Sequence, residues 1–191
     1  MPESNDSPQP DHAAVYTRTG DDGTTGLFYG GRVAKDSPIP RACGDVDEAQ
    51  AAIGVARATA GGSDPLLEAI LVDVSRDLWV LMAELSTAPE NRHKLEMGTT
   101  LVTTDMVVAL ERRIDHVSAM FTPPREFIVP GADPVSASLD MARTVVRRAE
   151  RQVVGVAAAN SRASAYLNRL SDLMWTLARW QEGTALRARD I

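Results

Sequence analysis

Apolar residues recur at helical spacing over most of the chain beyond Gly44. Val135, Leu139, Ala142, Val146, Ala149 and Val153 step by four, three, four, three and four, the seam of a helix packed in a bundle. Leu167, Leu170, Met174 and Leu177 keep the same rhythm and predict a helix from about Asn160 to Gln181. Leu67, Ile70, Leu71, Val74, Leu78 and Leu81 predict another, capped by Asp64 and begun by Pro65. Val107, Leu110, Ile114 and Val117 mark a third that starts near Thr103 or Thr104 and is broken by Thr122-Pro123-Pro124. A first helix is expected from about Asp45 to Ala60, stopped by Gly61-Gly62, and the seam helix opens near Asp133-Pro134. Residues 87–102 show no period and are expected to loop. Phe127 to Gly131 reads as a short extended stretch with a turn. Five helices with short links imply an all-α five-helix bundle.

Before the bundle, residues 15–44 are rich in glycine, threonine and aspartate and predict an ordered loop or short turns. Residues 1–14 are polar and contain proline, the composition of a disordered tail. Residues 15–191 are therefore read as one domain.

Composition narrows the function classes. The 191 residues carry a formal net charge of −6, so no overall positive field attracts a nucleic-acid backbone. Cys43 is the single cysteine, which excludes an intramolecular disulfide and a cysteine-based zinc site. No apolar run approaches the ~18 residues that span a bilayer. The first residues have neither the basic nor the apolar region of a secretory leader. A cytoplasmic protein is expected.

Three segments can carry chemistry. Thr17-Arg18-Thr19-Gly20-Asp21-Asp22-Gly23-Thr24-Thr25-Gly26 offers backbone amides and hydroxyls that can cradle phosphate oxygens, with Arg18 and Lys35 adding charge. It is not a Walker A loop, because the Gly-Lys-Ser/Thr ending is missing, and on composition alone a structural turn with a solvated face is the favoured reading. In Arg143-Thr-Val-Val-Arg147-Arg148-Ala-Glu150-Arg151, residues Arg143, Arg147, Glu150 and Arg151 fall within about one third of the helix circumference. Glu150 is expected to answer part of this charge through an i−3 contact with Arg147. A polyphosphate can answer the rest, and so can carboxylates of neighbouring helices. Asp45, Asp47 and Glu48 open the first predicted helix. N-capping and dipole complementation are one role for them, and an ion pair with an arginine elsewhere is the other. The spacing Glu90-Asn-Arg-His93 matches half of a di-iron motif, but occurs once and in an expected loop.

Taken in order, six pieces resemble the PduO-type ATP:cob(I)alamin adenosyltransferases. They are Tyr16 to Gly26, Arg32-Val-Ala-Lys35-Asp36, Gly44-Asp-Val-Asp47-Glu48, Phe127-Ile-Val-Pro-Gly131, Ala142 to Arg151, and Leu167-Asn168-Arg169-Leu170-Ser171-Asp172. The resemblance implies a bundle that forms a homotrimer with sites between subunits. It implies that Thr17, Arg18, Thr19, Gly20, Thr25, Gly26 and Lys35 contact ATP, together with Arg147, Glu150, Arg151 and Asn168, and Arg148 as a further contact. It implies that Asp47 and Arg143 pair across the interface, and that Phe127 occupies the lower face of the corrin. The lower axial ligand is thereby displaced and the cobalt becomes easier to reduce. Mg²⁺ is expected with the ATP, and a reductase and a cobalamin-dependent enzyme are expected partners. Gly31 and Ala132 depart from the family's usual glutamate and second glycine. The other function class to weigh is a non-catalytic carrier of adenosylcobalamin or ATP, which needs no grip on triphosphate.

Overall fold

A computed structural model describes residues 16–183 and residue 187. The expected tail at residues 1–14 lies outside the described residues. Among these, the elements in order are strands β1 (Thr24–Gly26) and β2 (Arg32–Ala34), helices α1 (Pro38–Ala60) and α2 (Pro65–Leu85), a 3-10 helix (Pro89–Lys94), and helices α3 (Thr104–Ser118), α4 (Pro134–Val154) and α5 (Ala163–Glu182). The fold is an all-α bundle with a two-stranded antiparallel hairpin at its N-terminal edge.

The apolar seams form the core. Leu139, Ala142, Val146, Ala149 and Val153 of α4 are fully buried, as are Leu167, Leu170, Met174 and Leu177 of α5. Helix α4 packs most extensively on α5 and α1, while α5 also packs on α3 and α1 on α2. Each fully buried leucine contributes about 1.5–3 kcal/mol, which offsets the ~1–2 kcal/mol needed to fix each residue's backbone. Local signals set most helix starts. The Asp64 carboxylate accepts from the Leu66 and Leu67 amides at 2.9 and 3.1 Å. Thr103 Oγ1 accepts from Met106 N at 3.2 Å. Asp133 and Ser136 form a reciprocal capping box at the head of α4.

Two boundaries differ from expectation. Helix α1 begins at Pro38, seven residues before Asp45, with Ser37 at its N-cap. Gly44, placed before the expected helix, lies inside it, where glycine costs only about 1 kcal/mol. Pro38 and Pro40 fit the first turn because their missing N–H groups would have no helical partner there. Asp45, Asp47 and Glu48 are therefore not N-caps. The second difference is at residues 87–102, where the expected loop contains the 3-10 helix and is pinned from below. Buried Glu84 accepts from Arg92 Nη2 at 2.9 Å and from the Val102 amide at 3.0 Å.

Candidate functional site

The N-terminal glycine/threonine segment folds into a tight loop ahead of the hairpin. Asp22 accepts from the backbone N–H and hydroxyl of Thr24 at 2.9 and 2.8 Å, bonds that hold its carboxyl below the usual carboxylate range. Arg32 is the strut of this loop. Its Nη2 donates to the Thr19 carbonyl and to Thr24 Oγ1, each at 2.6 Å. The side chain of Lys35 lies over Gly20, and a Cβ there would sit 3.0 Å from the Lys35 ammonium. Glycine at that position thus gives the cation its path across the loop. Thr17 and Thr19 share a hydroxyl hydrogen bond of 2.8 Å, and Arg18 adopts φ +58° with its guanidinium over the Tyr16 ring. Thr17, Arg18, Thr19 and Gly26 are exposed, and Thr25 is half-buried in β1. At the hairpin turn, Gly31 has φ +94°, a conformation in which the glutamate expected from the resemblance would be strained.

Helix α4 carries the arginine cluster. Arg148 is paired with Asp45 and Glu48, so the carboxylates expected at a helix cap instead tie α1 to α4. Arg143 Nε donates to Asp140 on its own helix at 3.1 Å. Asp140 also receives Arg179 Nη2 at 2.5 Å, and Arg179 reaches Glu182 at 2.8 Å. The side chains of Arg179, Asp140 and Glu182 are nearly fully buried, and burial raises the Glu182 carboxyl. Arg147 and Arg151 point to solvent, and no carboxylate pairs with either among the described residues. Arg151 donates to the Arg147 carbonyl at 3.1 Å.

The expected contact between Glu150 and Arg147 does not form. Glu150 Oε1 instead accepts from Asn168 Nδ2 at 3.1 Å, because the α4–α5 interface brings that amide alongside. Asp47 is exposed and has no partner within the chain among the described residues. In particular it does not meet Arg143 here.

A cleft of about 500 Å³ opens beside the head of α4. Its lining includes Phe127, Ile128, Asp140, Arg143, Trp175 and Arg179. Phe127 is 89% exposed, a costly position for a large apolar ring. The structure thus brings Phe127 and Arg143 to one cleft, and Glu150 and Asn168 into contact. No hydrogen bond or ion pair joins the residue 17–26 loop to Arg147, Glu150 or Arg151 within one chain, among the described residues. Sequence reading missed Arg32 as the loop's strut, and also Asp140 and Arg179 beneath Arg143. The i, i+3 spacing of Asp140 and Arg143 was the available signal for part of this.

Residues 15–181 match the family model for cobalamin adenosyltransferase. The chain belongs to this family. A corrinoid adenosyltransferase of Citrobacter freundii is 37% identical over 173 residues, covering 89% of this chain and 96% of that protein. One from Mycobacterium tuberculosis is 41% identical over 170 residues, covering 86% of each. The chain spans about half the length, 51%, of the corrinoid adenosyltransferase PduO of C. freundii, to which it is 37% identical over 180 residues. Among solved structures, a variant PduO-type ATP:corrinoid adenosyltransferase from Lactobacillus reuteri complexed with cobalamin and ATP superposes with a TM-score of 0.82. It is 26% identical and covers 93% of this adenosyltransferase-family chain and 97% of that one.

Proposed function

We propose that this chain transfers the 5′-deoxyadenosyl group of ATP to the cobalt of cob(I)alamin. The cobalt electron pair forms a bond to C5′ as the C5′–O bond breaks, and triphosphate leaves with that bond's electrons. No side chain has to act as nucleophile or general base. The protein's task is to align the two substrates and to stabilise charge on the leaving group.

One observation carries the reading. Among the described residues, Arg147 and Arg151 stand bare of carboxylates on a helix whose other two arginines are both paired. Their spacing of four residues suits a polyphosphate. Lys35, held over Gly20, supplies the third cation, and Thr17, Arg18, Thr19, Thr25 and Gly26 are the loop's further nucleotide contacts in this reading. Asn168 and Glu150 complete the nucleotide contacts, and Arg148, bound to α1, is the least available of the set. Among the described residues no group of three His, Cys, Asp or Glu side chains could hold a metal ion. Mg²⁺ prefers phosphate oxygens with one or two carboxylates, so it enters this reading on the triphosphate, as part of the substrate.

The active assembly in this reading is a homotrimer, with the N-terminal loop of one subunit facing α4 of the next. The unpartnered Asp47 supports this, because its opposite number, Arg143, is held at the cleft rim by Asp140. Nor does any hydrogen bond or ion pair join the loop to the bare arginines within one chain, among the described residues. Residues 15–191 act as a single domain. Phe127 covers the lower face of the corrin, excludes the axial ligand and thereby eases reduction of the cobalt. A reductase supplies the electron, and a cobalamin-dependent enzyme takes the product. No helix among the described residues is long and apolar enough to cross a membrane. A cytoplasmic site of action fits this reading.

Phe127→Ala tests the arrangement. ATP affinity should be unchanged, while adenosylation starting from cob(II)alamin and a reductant collapses. An unchanged rate would refute the ligand-displacing role.

A further inference from the structure

Asn168 and Glu150 are joined to a second layer that reaches across three helices. Arg169 Nε donates to Glu111 on α3 at 2.9 Å. Its Nη1 donates to Asn168 Oδ1 at 2.8 Å, and Asp172 lies 3.8 Å away. Asn168 Nδ2 then donates to Glu150 Oε1 on α4 at 3.1 Å. The chain Glu111, Arg169, Asn168, Glu150 therefore runs from α3 through α5 to α4.

Hydrogen-bonding chemistry gives this chain one direction. A guanidinium only donates, and an ionised carboxylate only accepts. An amide between them has a single satisfying orientation, oxygen toward Arg169 and nitrogen toward Glu150. Reversing it would set N–H against guanidinium and C=O against carboxylate, and both contacts would become repulsive. Arg169 thus settles which end of Asn168 faces Glu150, and Glu111 settles where Arg169 sits. Among the described residues, one N–H of Asn168 and one oxygen of Glu150 stay uncommitted, as a fixed donor beside a fixed acceptor.

We propose that Arg169, oriented by Glu111, is a positioning residue that locks the Asn168–Glu150 pair in its nucleotide-binding orientation. This rests on the assignment of Asn168 and Glu150 to the nucleotide. Arg169 itself touches no substrate. Because its side chain and that of Glu111 are 41% and 45% exposed, both can be altered without opening the core.

The test uses the full chain and Mg-ATP. Arg169→Met keeps the alkyl stem and removes the donors. Its dissociation constant for Mg-ATP, measured by calorimetry, should rise about ten-fold, the loss of one charge-assisted hydrogen bond. The melting midpoint and KM for cob(I)alamin should stay at wild-type values. Arg169→Lys keeps a donor toward Asn168 and should recover most of the affinity, and Glu111→Gln should show a smaller loss than Arg169→Met. Unchanged ATP affinity in Arg169→Met would overturn the proposal. So would a loss in which ATP affinity, corrinoid KM and melting midpoint all worsen together, and so would failure of lysine to rescue. Wild-type protein that binds ATP but does not adenosylate cob(I)alamin would refute the proposed activity while leaving this test readable.

Discussion

Helix α4 presents four arginines within one stretch, and the molecule treats them in two ways. Arg143 and Arg148 are answered inside the chain, by Asp140 and by Asp45 with Glu48. Arg147 and Arg151 share the same helix and the same chemistry, yet meet no carboxylate among the described residues. A paired arginine is spent on holding elements together. A bare one beside its twin carries unopposed repulsion, which an incoming polyanion relieves. The contrast separates residues that maintain the fold from residues reserved for a ligand, and it can be attacked from both sides.

The largest effect should come from the most fully answered arginine. Arg179 is buried between Asp140 and Glu182, so Arg179→Met strands carboxylates in a low-dielectric site. Unfolding in urea should show a loss of about 3–5 kcal/mol. A loss under 1 kcal/mol would mean the network is not structural. Next, Arg147→Ala should leave the urea midpoint intact. Its kcat/KM for ATP should fall by about 10²–10³-fold, some 2.7–4 kcal/mol of transition-state stabilisation. Full activity in this variant would erase the distinction between the two classes. Arg148→Ala should do the reverse on a smaller scale, lowering the melting midpoint slightly while KM for ATP changes little. A large rise in KM there would move Arg148 into the nucleotide set.

The smallest effect concerns a half-buried carboxylate away from the arginine stripe. Asp77 accepts from the Tyr166 hydroxyl at 2.8 Å, but burial raises its carboxyl above the ordinary value despite that bond. A raised carboxyl disfavours its charged form in the fold, so it costs stability at neutral pH. The cost fades as pH falls through the folded pKa toward 3.8, because the native state takes up its proton first. Asp77→Asn should therefore match or slightly exceed wild-type thermal stability at pH 7.5. Its advantage should shrink as pH falls toward 4. A constant difference across that range would show that the carboxyl does not titrate as described.

The bundle was legible because burial enforces period. Every seam position from Leu139 to Val153 is fully buried, so its sequence spacing had to match the helix turn. The caps at Asp64, Thr103 and Asp133 were legible because a cap acts within three residues. What failed was what depends on residues far apart in sequence. The start of α1 was placed too late because the packing of α1 on α4, which offsets the cost of Gly44, has no local signature. Glu150 was matched to Arg147 by spacing alone, whereas its partner Asn168 arrives from another helix, 18 positions on. The segment at 87–102 had no readable pattern because Glu84 holds it through single polar contacts, 8 and 18 residues away. The site residues were named from ordered motifs. The division of the arginine stripe into paired and bare residues, and the cleft that joins Phe127 to Arg143, emerged only with the fold.

The most direct test of the central claim is spectroscopic. Purified chain is mixed anaerobically with cobalamin reduced to the cobalt(I) state, ATP and Mg²⁺, and the visible spectrum is followed. The account predicts that the cob(I)alamin band decays into a light-sensitive alkylcobalamin spectrum, and only when both ATP and protein are present. A folded protein that produces no ATP-dependent change would contradict it, and would favour a carrier of cobalamin or ATP over an enzyme that joins them.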